Sequence, residues 1–103
     1  MTDIIRGTEL KFNVNIEPLN NISMISYDFE AKAYCLGTKQ RIAVPKSDCT
    51  AVDDDNYILP IDTTGLALGQ LVVDIYAYVP DQDFPDDTRT EIVRIETDIN
   101  IIE

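Results

Sequence analysis

The sequence predicts an all-β domain, a seven-stranded antiparallel sandwich of immunoglobulin-like type. Three observations carry that expectation. Apolar residues alternate with polar ones over most of the chain, which collects them on one side of a strand and would scatter them around a helix. Turn-forming residues recur at short, regular intervals, and no segment sustains a 3.6-residue period. The chain has no tryptophan, so the buried Cys–Trp–Cys signature of antibody domains is absent.

In chain order, Leu10, Phe12, Val14 and Ile16 mark the first strand, broken by Asn20-Asn21. Ile25, Tyr27, Phe29, Ala31, Ala33 and Cys35 share one face of a long second strand. Leu36-Gly37-Thr38 is a turn, and Gln40 to Val44 a third strand stopped by Pro45. Cys49 to Val52 is a short fourth strand. Asp53-Asp54-Asp55-Asn56 is turn chemistry, and Tyr57 to Ile61 a fifth strand whose Pro60 calls for a sheet edge or a bulge. Leu71, Val73, Ile75, Ala77 and Val79 define the sixth strand. Pro80 to Arg89 is a polar loop, and Val93, Ile95, Thr97, Ile99 and Ile101 form the last. Residues 1–8 are either an arm reaching a neighbour or an additional strand completing the sheet.

At 103 residues the chain makes one domain, residues 1–103, able to bury roughly 65% of its unfolded surface. Nineteen Asp and Glu against eight Lys and Arg give a net charge of −11, with no histidine. Such a surface repels phosphate backbones and anionic lipid, so neither nucleic acid nor membrane is an expected partner. Residues 1–7 hold no apolar stretch long enough for a signal peptide and no apolar run approaches membrane length, so folding in a cytoplasm is expected. Cys35 and Cys49 are too few for a disulfide scaffold or a zinc site. With one strand between them, their ends are expected at opposite poles, beyond disulfide reach.

Catalysis has little to stand on: no histidine can serve as base, and no glycine-rich phosphate loop is present. The chain is expected not to be an enzyme and to need no cofactor. Asp81, Asp83, Asp86 and Asp87 crowd one loop and form a weak cation candidate. The EF-hand glycine and glutamate positions fall on Asp86 and Ile92, so a solvated loop is the simpler expectation. Tyr34, Tyr76 and Tyr78 fall opposite the core stripes of their strands. They are either aromatic cover with wet hydroxyls or, with Arg6, a partner-contact surface. Lys32, Asp74 and Arg94 read as ordinary exposed positions. If each strand crosses the domain once, the connections at 36–39, 53–56 and 80–89 share one pole with the N-terminal arm. Glu17, Asp48 and Asp62 then fall at the other.

Three stretches resemble small structural domains of tailed phages infecting gut bacteria: Ile4-Ile5-Arg6-Gly7-Thr8 leading into Leu10, Phe12 and Val14; Ser47-Asp48-Cys49-Thr50 followed by an Asp/Asn turn, a strand and a leucine-bearing corner before Gly69; and Phe84-Pro85-Asp86-Asp87-Thr88-Arg89-Thr90-Glu91 before Ile92-Val93-Arg94-Ile95. The group comprises N-terminal domains of baseplate upper proteins and immunoglobulin-like auxiliary proteins that decorate capsids. The resemblance implies a virion structural protein, made in the host cytoplasm and present in many copies. A capsid auxiliary or decoration protein bound to other virion proteins, chiefly the major capsid protein, is the first expectation. A neck, tail or baseplate component is the second. An adhesion or carbohydrate-binding module is the reading from another class.

Overall fold

The computed structural model describes residues 1–17 and 23–103; the expected break at Asn20-Asn21 lies outside them. The described residues form eight strands and four single 3-10 turns, with no α-helix. The strands are β1 (Thr2–Ile5), β2 (Glu9–Asn15), β3 (Phe29–Cys35), β4 (Ile42–Pro45), β5 (Thr50–Ala51), β6 (Asn56–Asp62), β7 (Gly69–Pro80) and β8 (Thr88–Ile102). A five-stranded sheet has the order β1-β8-β7-β3-β4, and a three-stranded sheet the order β2-β6-β5. The chain is therefore all-β. The seven-stranded antiparallel immunoglobulin-like arrangement is not what it adopts, because β1 is an eighth strand and runs parallel to β8.

Period-two patterning places the core between the sheets. Leu71, Val73, Ile75, Ala77 and Val79 of β7, and Phe29, Ala31, Ala33 and Cys35 of β3, are buried in one cluster with Tyr57, Leu59 and Ile61 of β6 and Val14 of β2. The Phe29 and Tyr57 rings meet edge to face at 4.8 Å and tie the two sheets together.

The N-terminus resolves as strand. Thr2–Ile5 pairs with Ile99–Ile102, after which the chain crosses to the other sheet at Gly7, whose φ of +104° suits only glycine. The buried Thr63 hydroxyl clamps that crossing, accepting from the Gly7 N–H at 2.9 Å and donating to the Thr8 carbonyl at 2.7 Å.

Two faces differ from expectation. The second strand starts at Phe29, not Ile25, because Met24–Ser26 forms a 3-10 turn capped by the Ser23 hydroxyl. The Lys46 ammonium also gathers the carbonyls of Met24, Ile25 and Tyr27. Ile25 and Tyr27 are consequently exposed. Val93 faces the core side opposite Ile75 yet is exposed, since β1 flanks β8 only at Ile99–Ile102 and leaves the far side of Val93 open. Further along β8, Thr97, Asp98 and Ile99 stand opposite Leu71 alone. The two additional residues of this bulge keep the alternation in phase, so Ile95 and Ile101 still face inward.

Pro60 lies in the middle strand of its sheet, yet at an edge. The Asp55 carbonyl accepts from Ile16 on the β2 side, and the Asn56 carbonyl accepts from Val52 on the β5 side. Even-numbered β6 residues therefore point toward β5, which ends its pairing at Ile58. The missing N–H of Pro60 faces this uncovered side, where no ladder bond is lost.

Strand directions revise the poles. β4 and β5 run the same way, since Pro45 lies opposite Glu30 and Ala51 opposite Tyr57. The turn at 53–56 and the loop at 81–87 do share an end, where β3 begins and β7 finishes. The turn at 36–39 and β1 lie at the other, because β3 and β7 are antiparallel neighbours and Cys35 pairs with Leu71. Glu17 belongs to the acidic end, where it raises the Asp55 pKa. Asp48 stands on the flank, lining a groove.

Both cysteines are free. Cys35 sits at the Leu71 end of β3, and Cys49 lies beside Pro45, toward the Phe29 end. Burial pushes both thiols up, and Asp48 adds to this at Cys49. In denaturant without reductant a thiol reagent should count two free groups. In native buffer the half-buried Cys49 should react well before Cys35. A protected pair would overturn the strand order.

Candidate functional site

The outer face of the five-stranded sheet is where polar chemistry concentrates. β3 turns Glu30, Lys32 and Tyr34 outward, and β7 turns Val72, Asp74, Tyr76 and Tyr78 the same way. Cross-strand register sets Glu30 against Tyr76, Lys32 against Asp74, Asp74 against Arg94, and Tyr76 against Ile92. Side chains so paired lie within contact distance.

Asp74 is the centre of this face. It is 6% exposed, an environment that a carboxylate tolerates only when it is bonded and paired. Arg94 supplies both, its Nε 2.9 Å from Oδ1 and its Nη2 3.1 Å from Oδ2. The Tyr34 side chain is a neighbour of the same carboxylate and helps to favour its charged form. Chiefly through the Arg94 bond, the Asp74 carboxyl is held below the usual carboxylate range despite its burial. The Arg94 guanidinium is raised in turn.

Around this pair the aromatics are covered by cations. The Arg41 guanidinium lies over the Tyr34 ring, its carbon 3.8 Å from the centroid. Carbonyls of Thr38 and Gln40 hold it there through Nη1, at 2.7 and 3.3 Å. The Lys32 ammonium sits 4.9 Å from the centre of the Tyr76 ring. Tyr78 donates its hydroxyl to Glu30 at 2.8 Å. Burial, with Glu30 beside it, pushes the Tyr78 pKa up to about 12.

The structure thus brings Tyr34, Tyr76 and Tyr78 onto one face, as their positions require, but Tyr34 is buried and the Tyr78 hydroxyl is bonded to the Glu30 carboxylate and not simply wet. Arg6 is not part of this face. Its N–H bonds the Ile102 carbonyl and its side chain reaches Glu103, at the β1 end. Sequence reading missed Asp74 and Arg94 as a pair, and Lys32 and Arg41 as cover. The usable signal was an aspartate followed by two outward tyrosines in a long strand, with an arginine at matching parity in the next.

The loop carrying Asp81, Asp83, Asp86 and Asp87 folds on itself through its own hydrogen bonds. Asp81 accepts the Asp83 N–H at 3.0 Å and is bonded by Arg89, and its own N–H reaches the Asp87 carbonyl. Asp86 and Asp87 take φ of 60° and 53°, in the left-handed region that Asp and Asn tolerate better than most residues. Among the described residues no group of three or more acidic or cysteine side chains is arranged to hold a metal. In the other turn, Asp53 accepts from the N–H groups of Asp55 and Asn56, both at 2.9 Å, which lowers its pKa.

These contacts divide the acids by role. Changing Asp54, Asp83, Asp86 and Asp87 together to Asn should raise stability in dilute buffer, and salt should erase the gain. Changing Asp53 or Asp81 to Ala should lower stability at any salt, through loss of the turn bonds. Denaturation midpoints at low and high salt check both; a gain that persists in high salt would remove like-charge repulsion as its cause.

An open groove of about 580 Å³ runs along Leu10, Lys11, Ile42, Val44, Pro60 and Ile61, with Glu9, Asp48 and Asp62 among its lining. The Asp62 carboxylate accepts the Thr64 N–H at 3.0 Å, which holds its pKa down. A general acid needs the opposite shift.

Comparison with protein-family models, curated proteins and solved structures finds no match.

Proposed function

We propose that the chain is a non-catalytic structural binding protein, a virion component of a tailed phage. Within that class it is a capsid auxiliary or decoration protein, docking on other virion proteins and chiefly on the major capsid protein. The two sheets are read as a β-sandwich scaffold whose role is to hold one face rigid. The observation that carries the binding reading is the outer face itself. Tyrosines and arginines are the residue types over-represented where proteins meet. Here Tyr78 and Arg94 are fixed by Glu30 and Asp74 before any partner arrives, which lowers the ordering cost of association. The phage assignment rests on the resemblance of the 4–14, 47–69 and 84–95 stretches.

A mass-spectrometric inventory of purified particles tests it. The expected result is the chain at copy numbers on the order of hundreds, following the capsid lattice. A small symmetric ring of copies would move it to the neck, tail or baseplate, and absence from particles would end the virion reading. On this face the aromatics that a carbohydrate-binding module would leave open are covered, Arg41 lying over Tyr34 and Lys32 over Tyr76.

A further inference from the structure

The middle of β8 is an open sheet edge. Even-numbered residues of β7 bond β3, since the Tyr78 N–H donates to the Asp28 carbonyl and the Leu36 N–H to that of Gln70. Odd-numbered β7 residues therefore bond their β8 partners Arg89, Glu91, Val93 and Ile95. The N–H and C=O groups of Thr90, Ile92, Arg94 and Glu96 then point away from β7. β1 covers β8 only at residues 99–102, so among the described residues no strand meets those groups. Edges of folded proteins are ordinarily blunted by shortness, proline, lysine or a bulge. β4 has four residues and ends in Pro45, β5 has two, the uncovered half of β6 carries Pro60, and β2 carries Lys11. β8 contains neither proline nor lysine, and its bulge lies beyond the open stretch. Ile92 and Val93, on opposite faces of it, are 58% and 54% exposed.

We propose that β8 pairs antiparallel with β8 of a second copy over residues 90–96, joining two five-stranded sheets about a two-fold axis at Val93. Register and charge select the copy. The open stretch lies between β1 at one end and the acidic loop at the other, and Val93 is its midpoint, so the centred register uses all of it. That register sets Val93 against its own mate, Ile92 against Arg94, Thr90 against Glu96 and Glu91 against Ile95, with no like charges opposite. A shift of one ladder step shortens the overlap, and in one direction it sets Arg94 against its own mate. Over residues 88–98, Arg89 and Arg94 stand against Glu91, Glu96 and Asp98, a net of −1 on a chain of −11. Asp98 also meets the Met1 ammonium at 3.6 Å. Two acidic chains can therefore approach here without crowding carboxylates, and charges farther off are screened beyond about 8 Å in physiological salt. The pairing stands apart from the virion reading, because it concerns the purified chain alone.

Sedimentation equilibrium of the purified chain, from micromolar to millimolar concentration, should show a monomer–dimer equilibrium. It should tighten with added salt, as the net repulsion is screened. Ile92→Pro removes an outward N–H and no ladder bond within the monomer. Val93→Lys sets two ammonium groups against each other across a pair whose Cα atoms lie about 4.5 Å apart. Each should weaken the dimer about tenfold or more and leave the urea midpoint of dilute protein nearly unchanged. V93E alone should behave like V93K, whereas an equimolar mixture of the two should recover the dimer, with the mixed species dominant. That recovery requires residue 93 to meet its own mate. If Ile92→Pro melts early, the lysine–glutamate exchange carries the test. A wild type that stays monomeric throughout, a dimer that weakens with salt, association that V93K leaves intact, or a V93K and V93E mixture that stays monomeric would each overturn the proposal.

Discussion

Truncating Phe29 to alanine should cost about 3–5 kcal/mol, the largest loss expected from any single core change in this chain. Phe29 is fully buried and its ring is the edge-to-face partner of Tyr57. It therefore bridges the five-stranded sheet at the start of β3 and the three-stranded sheet at the start of β6. The Lys46 ammonium stands 5.9 Å from the same ring, so the lysine that gathers the 24–27 carbonyls loses a neighbour too. Leu71→Ala and Ile75→Ala should each cost about 2–5 kcal/mol, because those positions are also sealed but remove a smaller side chain. Domains of this kind have a total stability of about 5–15 kcal/mol, so the Phe29 variant should be partly unfolded at 37 °C. Ile92→Ala, on the exposed side of β8, should stay within roughly 0.5 kcal/mol. Urea midpoints with an unchanged slope check the series. Equal losses at Phe29 and Ile92 would mean that both faces of the large sheet are covered in solution.

The residues involved explain what could be read in advance. Leu71, Val73, Ile75, Ala77 and Val79 gave a strict alternation that only a strand satisfies, and all five are buried. Pro60 called for an edge or a bulge because a missing N–H is a local fact of the sequence, and its position faces the uncovered side beyond β5. What escaped was set by partners distant in the chain. Nothing in Thr2–Ile5 states that it will lie parallel to Ile99–Ile102, since one strand's pattern is blind to its neighbour's direction. Ile25 and Tyr27 continued the apolar alternation faithfully and were still turned out, because Ser23 and Lys46 bond the backbone there. The poles were miscounted at one step, where β5 is two residues long and follows β4 in the same direction instead of crossing back. Asp74 looked like any outward polar residue of a strand. Its burial depends on Tyr34 and Arg94, two strands that only the fold brings to its sides.

That burial sets the second large effect. Asp74→Asn should cost about 2–3 kcal/mol near neutral pH, against the near-zero cost of an ordinary surface aspartate. The substitution keeps shape but removes the charge that two Arg94 nitrogens are oriented to meet. Breaking a wholly buried pair costs more, about 3–5 kcal/mol, but the Arg94 side chain is 59% exposed and water can reach it. Arg94→Gln should fall in the same range, and the double variant should cost clearly less than the two single losses added together. The pH dependence has a definite direction. Because the folded Asp74 carboxyl titrates below its usual value, its contribution is fully present above the unfolded carboxyl pKa of about 3.9 and disappears as pH falls through the folded value. The gap between wild type and Asp74→Asn should thus be constant from neutral pH down to about 5 and should narrow below about 4. Asp55, whose pKa is raised by desolvation and the neighbouring Glu17, Asp53 and Asp54, acts in the opposite sense. It is common to both proteins and cancels in the difference. Chemical denaturation of the two proteins across that pH range makes the comparison. A gap of the same size at pH 3 and pH 7 would show that Asp74 does not carry the charge that Arg94 faces.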